Sequence, residues 1–358
     1  YRQPDPRTGQ MVGGPMFYVQ AAFRGLPWLA PLVAGCLVLA AFGGGVLVQA
    51  NAVSETMHHS FAISPTWSGL AMAIATAAVI IGGVQRLGQF AGALVPVMIV
   101  LYVVCGVLAL VMLAPQLPAA FSAIGAGAFT GTAAVGGFIG AGLKEAMVAG
   151  ISRGVFSNES GLGTAGFAAA AAKTKHPAEQ ALVSMTQTFI DTIIVCSITG
   201  LVIVTSGLWQ TDIAGATLTA SAFNLALPGH LGGLPLGNLI VSFSLLLFTY
   251  TTIIGWSYYG ERCWLFLKPG SQLKLYRALI CLAVFVGAIL SLATVWEVAT
   301  LVFALVIVPN LLALWRLSPL VKALTQDYFR QQQRGGQYHV APFATPSGQR
   351  NRVLKSTR

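Results

Sequence analysis

The stretch GAGAFTGTAAVGGFIGAGLKEAMVAGISRGVFSNESGLGTAGFAAAAA, residues 125–172, is apolar enough to enter a bilayer, yet carries Lys144, Glu145, Arg153, Asn158 and Glu159 among many glycines. Glycine costs about 1 kcal/mol relative to alanine inside a helix, and in lipid every freed backbone N–H and C=O needs a partner within the protein. One plain helix is therefore a poor solution for this stretch. Two readings stand for Gly131 to Gly142. Either the helix is interrupted at membrane depth, as in the midplane sites of many secondary transporters, or the glycines allow close helix packing, as Gly136 and Gly140 would in a small-xxx-small pair.

Outward from that stretch the chain is apolar almost throughout. Its 358 residues are 56% hydrophobic and 8% charged, with a mean hydropathy of +0.75, which excludes a soluble domain. The fold class is an all-α polytopic membrane protein embedded in the lipid bilayer. Eight segments approach or exceed the ~20 residues that a spanning helix needs: 27–49, 66–84, 90–113, 121–150, 181–206, 236–264, 276–294 and 296–315. They divide the chain into an interfacial segment over 1–26, a transmembrane domain over 27–316 and a basic tail over 317–358, polar from Ser318 onward and expected to be disordered.

The net charge of +10 is a topology signal and not a nucleic-acid footprint. If the spans alternate, the Lys and Arg residues fall on one side, including Arg24, Arg86, Lys144, Arg153, Lys173, Lys175, Arg262, Arg277 and those from Arg316 on. The opposite connections near 52–65, 114–120 and 207–235 contain none. The positive-inside rule then puts both termini, the C-terminus among them, in the cytoplasm, and the cytoplasmic (inner) membrane is the expected location. The five cysteines lie in or at the ends of spans without CxxC spacing, as packing residues. The chain opens at Tyr1 without a methionine, and a missing beginning is expected.

Few residues carry chemistry. Gln49 and Asn51 end the first span, as substrate contacts or as amides bonded to a neighbouring helix. His58 and His59 are adjacent, so one helical face cannot present both to a metal. Gly161 to Gly166 fits GxGxxG, but no strand precedes it, and a dinucleotide site is excluded. Asn158, Glu159 and Ser160 have the character of helix-capping or ion-liganding groups. Asp191 lies about two turns inside a span, as a functional carboxylate or one bonded to hydroxyls such as Thr188 or Thr192. Six of the seven tryptophans sit near span ends, as an interfacial belt requires. Trp256 lies inside a span, beside Thr249, Thr251, Thr252 and Ser257, whose hydroxyls suit a small hard cation or bond back to their own helix.

GGPMFYV at 13–19, RGVFSNESGLGTA at 153–165, FIDTIIVC at 189–196, GWSYYGE at 255–261 and VPNLLAL at 308–314 together resemble the alanine or glycine:cation symporter family, in the family's order and over nearly the whole chain. The resemblance implies a LeuT-like inverted-repeat fold whose amino-terminal helices are missing here, and sodium-coupled symport of a small neutral amino acid by alternating access. It implies no covalent chemistry, no enzyme activity and no organic cofactor; sodium is the coupling ion, and a monomer is the expected unit. Carried over by motif, the substrate-binding residues are Gln49, Asn51, Gly136, Gly137, Phe138, Thr252 and Trp256, with Thr251 and Thr252 facing sodium. Arg153, Phe156, Ser157, Asn158, Glu159 and Asp191 are gate or structural positions. The chain departs from the family's pattern in VWEVATLVFALVIVPN and in ESG and GTA, where EAG and GSA are usual. The alternative is a proton-coupled amino-acid transporter with Asp191 or Glu159 as proton carrier. A channel lacks a repeated filter here, and an intramembrane hydrolase lacks a nucleophile–base pair.

Overall fold

The computed structural model describes residues 1–5, 9–81, 84–129, 139–271 and 273–333. A two-residue hairpin, β1 (Gln3–Pro4) with β2 (Met11–Val12), leads into α1 (Pro15–Ala22). The first long helix is α2 (Leu29–Ala40), a π-helical segment (Ala41–Leu47) and α3 (Val48–Phe61) in one continuous run. Next come α4 (Pro65–Ile81), α5 (Val84–Met112), α6 (Leu117–Phe129) and α7 (Ile139–Asn158). They are followed by α8 (Ala165–Ala171), α9 (Pro177–Thr188), a second π segment (Phe189–Cys196) and α10 (Ser197–Ser206). The rest is α11 (Gly215–Ala226), a hairpin of β3 (His230–Leu231) and β4 (Leu234–Pro235), α12 (Leu236–Leu267), α13 (Leu273–Ile289) and α14 (Leu292–Gln333).

Among the described residues five helical runs are long and apolar enough to cross a membrane: Leu29–Phe61, Leu94–Met112, Pro177–Ser206, Leu236–Leu267 and Leu292–Gln333. They coincide with five of the eight expected spans. Pro65–Ile80 is a shorter apolar helix, α13 has 17 residues, and the fourth expected span runs across residues 130–138, outside the described ones. The outer surface is apolar, with Ile74, Val100, Val104, Leu108 and Val111 exposed, as side chains facing lipid would be.

Packing centres on α12, which touches α2, α3, α4, α5 and α11. One apolar core joins α1, α2, α3, α12, α13 and α14 through residues such as Val33, Leu37, Val46, Ile253, Tyr276 and Val306. A second joins α5, α10, α11 and α12 through Tyr102, Val202, Phe223 and Val241. Small residues let the backbones approach. A Cβ added at Gly260 of α12 would lie 2.1 Å from the Tyr276 hydroxyl and 2.8 Å from Ala41 Cβ.

Two further segments pack against the bundle, the second contrary to its sequence-based expectation of disorder. The residues before the first span are docked into the protein: Met16 and Val19 of α1 are buried in the main core, Arg2 donates to the Ala172 carbonyl at 2.7 Å and Asp5 pairs with Arg262 at 3.0 Å. The expected disordered tail continues α14 as helix to Gln333. Beyond Pro319 its residues are good helix formers, and Tyr328 is buried with its ring 5.2 Å from that of His176. Residues 334–358 lie outside the described ones.

Candidate functional site

The apolar length of α12 fixes Trp256 in the interior, where the residue is 1% exposed. A buried indole N–H needs an acceptor, and it donates to Glu159 Oε1 at 2.8 Å. Glu159 sits in the turn between α7 and α8 at φ 55°, a left-handed conformation unusual for a side-chain-bearing residue. Gly161 and Gly163 follow at φ 88° and 85°, so SNESGLG coils back tightly and turns the carboxyl toward α12. Thr164 also bonds that carboxyl; burial raises it above the usual carboxylate range against the lowering effect of these two bonds, and the nearby Asp191 adds to the rise.

The same turn is held from two further elements. Asn310, inside α14 and buried, donates to the Gly161 carbonyl at 2.7 Å and accepts from the Tyr18 hydroxyl of α1. A Cβ at Gly163 would stand 2.5 Å from both Pro15 Cγ and the Tyr18 hydroxyl. Glycine is thus required there by space as well as by φ. The motifs at 13–19, 153–165, 255–261 and 308–314 therefore converge, and Asn310 and Tyr18 are its members that sequence reasoning left without a role.

Around Trp256 the aromatic side chains form one continuous row. The indole stacks on Phe303 (centroids 5.5 Å, planes at 19°), and Phe303 on Phe156 (5.2 Å, 22°). Phe156 meets Trp296 at 4.6 Å, over which the Arg153 guanidinium lies 3.5 Å from the centroid, a cation–π contact. In the other direction Trp256 meets Tyr259 edge-on at 5.8 Å, and Tyr259 stacks on Phe167 at 5.1 Å. The π segment of the first span forms the floor of this row. A Cβ at Gly44 would lie 2.2 Å from Phe303, and one at Gly45 2.3 Å from Trp256 Cγ. The glycine triplet at 43–45 belongs to the site, and its signal in the sequence was an unbroken GGG inside a span.

The hydroxyls of α12 bond back within the helix. Thr249 donates to Leu245 O at 2.7 Å, Thr251 to Phe248 O at 2.9 Å, Thr252 to Phe248 O at 2.8 Å and Ser257 to Ile253 O at 2.6 Å. Each spends its hydrogen and keeps acceptor lone pairs, and Thr251 and Thr252 are half-buried. Asn51 turns its amide to α13, donating to the carbonyls of Leu290 at 2.6 Å and Gly287 at 3.3 Å. Gln49 is half-buried. Gly136, Gly137 and Phe138 lie outside the described residues.

Asp191 belongs to a separate polar cluster on the second π segment. Ser157 donates to its two carboxylate oxygens at 3.1 and 2.8 Å, Thr192 bonds it at 3.3 Å, and Asn158 reaches Thr192 at 3.2 Å. The carboxylate thus has hydroxyl partners, Thr192 among those anticipated. Among the described residues no group of three or more His, Cys, Asp or Glu could hold a metal. A cavity of about 590 Å³ between α7 and α14 shares Phe156 and Phe303 with the aromatic row and is otherwise lined mainly by apolar side chains such as Met147, Ile151 and Ile307.

Comparison with known proteins points one way. The family model described as the sodium:alanine symporter family matches residues 1–341. The chain is 42% identical to the sodium/alanine symporter AgcS of Methanococcus maripaludis, over 92% of the chain and 71% of that protein. It is 41% identical to an uncharacterized transporter of Haemophilus influenzae, over 92% of the chain and 72% of the relative. A putative sodium/proton-dependent alanine carrier protein of Bacillus subtilis, YrbD, is 30% identical over 92% of the chain and 69% of its own length.

Proposed function

The chain belongs to the sodium:alanine symporter family, a transporter and not an enzyme, and from that premise we propose that it carries alanine or glycine across the cytoplasmic membrane together with sodium. The observation that carries this reading is the bond from Trp256 to Glu159. It ties the helix bearing Thr251 and Thr252 to the coiled turn after α7. Sodium is received by the outward lone pairs of Thr251 and Thr252, and the amino acid lies beside Trp256 near Gln49, Asn51 and the stretch at Gly136, Gly137 and Phe138.

Alternating access supplies the mechanism. A solute shifts only an equilibrium between states that it binds unequally, so both solutes must favour a state that neither open form offers. The turn at Glu159, with Arg153, Phe156, Ser157, Asn158 and Asp191, is the cytoplasmic gate. While the indole N–H holds Glu159, the turn is fastened to α12; opening toward the cytoplasm requires that bond to exchange for another. The basic end of the bundle, with the C-terminus, faces the cytoplasm. The fold we assign is the LeuT-like inverted repeat, acting as a monomer.

The test is uptake of labelled alanine by proteoliposomes containing the full-length protein, with sodium or potassium outside. Sodium-driven accumulation that Trp256→Ala removes, with the protein still folded, is the expected result. A second reading is proton coupling, favoured by the raised carboxyl of Glu159 in its turn. Uptake driven by a pH gradient and indifferent to sodium would replace the first reading with it.

A further inference from the structure

The far end of α3 carries oxygen atoms that the fold leaves unused. Asn51, Ser54 and Glu55 occupy positions i, i+3 and i+4 and therefore share one helical face within a single turn. Asn51 and Ser54 are 5% and 1% exposed. Among the described residues Asn51 Oδ1, Ser54 Oγ and Glu55 Oε2 are buried with no hydrogen-bond partner. A buried oxygen left unpaired keeps its full desolvation cost, and three on one face of one turn call for a common ligand.

The ordinary ways of satisfying these atoms are not taken. Thr56, on the same helix, bonds back to Ala52 O at 2.8 Å, whereas the Ser54 hydroxyl makes no such bond. The amide nitrogen of Asn51 is committed to the carbonyls of Gly287 and Leu290 at the end of α13, so its free atom is an acceptor. Glu55 faces the start of α11: a Cβ built on Gly215, at φ 63°, would lie 3.1 and 3.3 Å from its two oxygens. That helix end is weakly positive, yet Oε2 receives no hydrogen bond there. The titratable neighbour that acts on the carboxylate is His59, exposed and one turn further along α3.

We propose that Asn51 Oδ1, Ser54 Oγ and the Glu55 carboxylate form a second cation site, which binds a small monovalent ion such as sodium between α3, the end of α13 and the start of α11. All three offer oxygen lone pairs, the donor type of hard cations. One carboxylate matches one positive charge, and the carbonyls at the end of α13 add further negative potential. The site is distinct from the threonines of α12 and goes beyond the coupling read there. Occupied, it joins three helices at the end of the bundle opposite the Glu159 turn.

The experiment is thermal unfolding of the purified full-length protein in detergent, titrated with sodium chloride against choline chloride at constant ionic strength. Sodium raises the melting temperature saturably, because a ligand bound only by the folded state stabilises it. Glu55→Gln and Ser54→Ala each raise the half-saturating sodium concentration of one phase about tenfold, as removal of a charged or oxygen ligand does. Thr252→Ala acts on a different phase. If both α3 variants titrate as the parent does, the site is refuted, whatever Thr252→Ala shows. Loss of the Glu55 phase with no effect of Thr252→Ala keeps this site and removes the α12 reading instead. A Glu55-dependent shift produced by alanine in choline, and not by sodium, overturns the choice of ion.

Discussion

α12 and α3 lie side by side, both carry polar residues into an apolar bundle, and they treat them in opposite ways. From Thr249 to Ser257 the threonine and serine hydroxyls of α12 bond to its own carbonyls, and the helix reaches its neighbours through aromatic side chains, Tyr250 donating to Ala75 O at 2.8 Å and Trp256 to Glu159. From Asn51 to Glu55, α3 leaves three oxygens without partners while Asn51 grips α13. Self-satisfied groups let a helix slide or exchange partners at little cost, whereas unpaired buried oxygens hold a place for something else. The contrast suggests that α12 is tied into the bundle by its aromatic row and the Glu159 bond, and α3 by its unspent polarity.

Changes at the aromatic row have the largest expected effect. Gly45→Leu would force side-chain atoms into Trp256, from which even a Cβ stands 2.3 Å. Overpacking of this kind costs about 1–3 kcal/mol or more, and the expected outcome is loss of the monodisperse peak in detergent size-exclusion chromatography. Normal elution with unchanged melting would break the comparison at its centre.

Trp256→Phe comes next. It keeps an aromatic face against Phe303 but leaves the Glu159 carboxyl without its indole donor, a cost of about 1–3 kcal/mol, and uptake is expected to fall strongly. An accompanying Glu159→Gln restores part of the melting temperature if the bond matters for what it pairs.

Glu159→Gln alone sharpens the electrostatics. Burial raises the folded pKa of this carboxyl, so the neutral form stabilises the fold at acid pH, and that contribution is lost as pH rises through the folded value. The parent protein should thus lose melting temperature as pH climbs above the ordinary carboxylate range near ~4.3, and the glutamine variant should show a flatter profile. Equal profiles would assign the dependence to other groups.

The smallest effect on stability is expected of Thr251→Val, which removes a lone pair from a self-bonded, half-buried hydroxyl. Stability should change by less than about 1 kcal/mol, while the sodium concentration for half-maximal uptake should rise about tenfold if Thr251 ligands the ion.

Much of this was legible in the chain. The apolar runs marked the helices, and Trp256 stood out as the tryptophan away from a span end, which is where we place the candidate site. The motifs at 153–165 and 308–314 were visible as strings, but their meeting through Asn310 and Gly161 joins residues 149 positions apart, and no local pattern encodes such a distance. Glu159 has the residue type of a helix-end group; its left-handed φ, which turns the carboxyl toward Trp256, depends on the packing of α1 and α14 behind it. Hydropathy also hid the docking of α1, since Met16 and Val19 have the composition of a membrane-surface helix until the surface covering them is known. The tail to Gln333 is polar in composition, yet its helix propensity carries α14 through it.

The π segment at Ala41–Leu47 has a consequence for sequence change along this helix. A π turn holds more residues than an α turn, so deleting one glycine from the triplet would let the run close as ordinary α-helix. The wide turn takes up about one residue: seven residues at the ~4.4 per turn of a π-helix sweep nearly the angle that six sweep at about 3.6. Asn51, Ser54 and Glu55 would therefore keep their face toward α13 and α11, whereas the loss of one residue from the α-helical stretch between Leu47 and Asn51 would swing them by about 100°, the angle of one residue in an α-helix. The glycines are thus slack in the length of the helix: a codon lost among them is absorbed in the π turn, and one lost just beyond it disables the opposite end while every polar residue remains present.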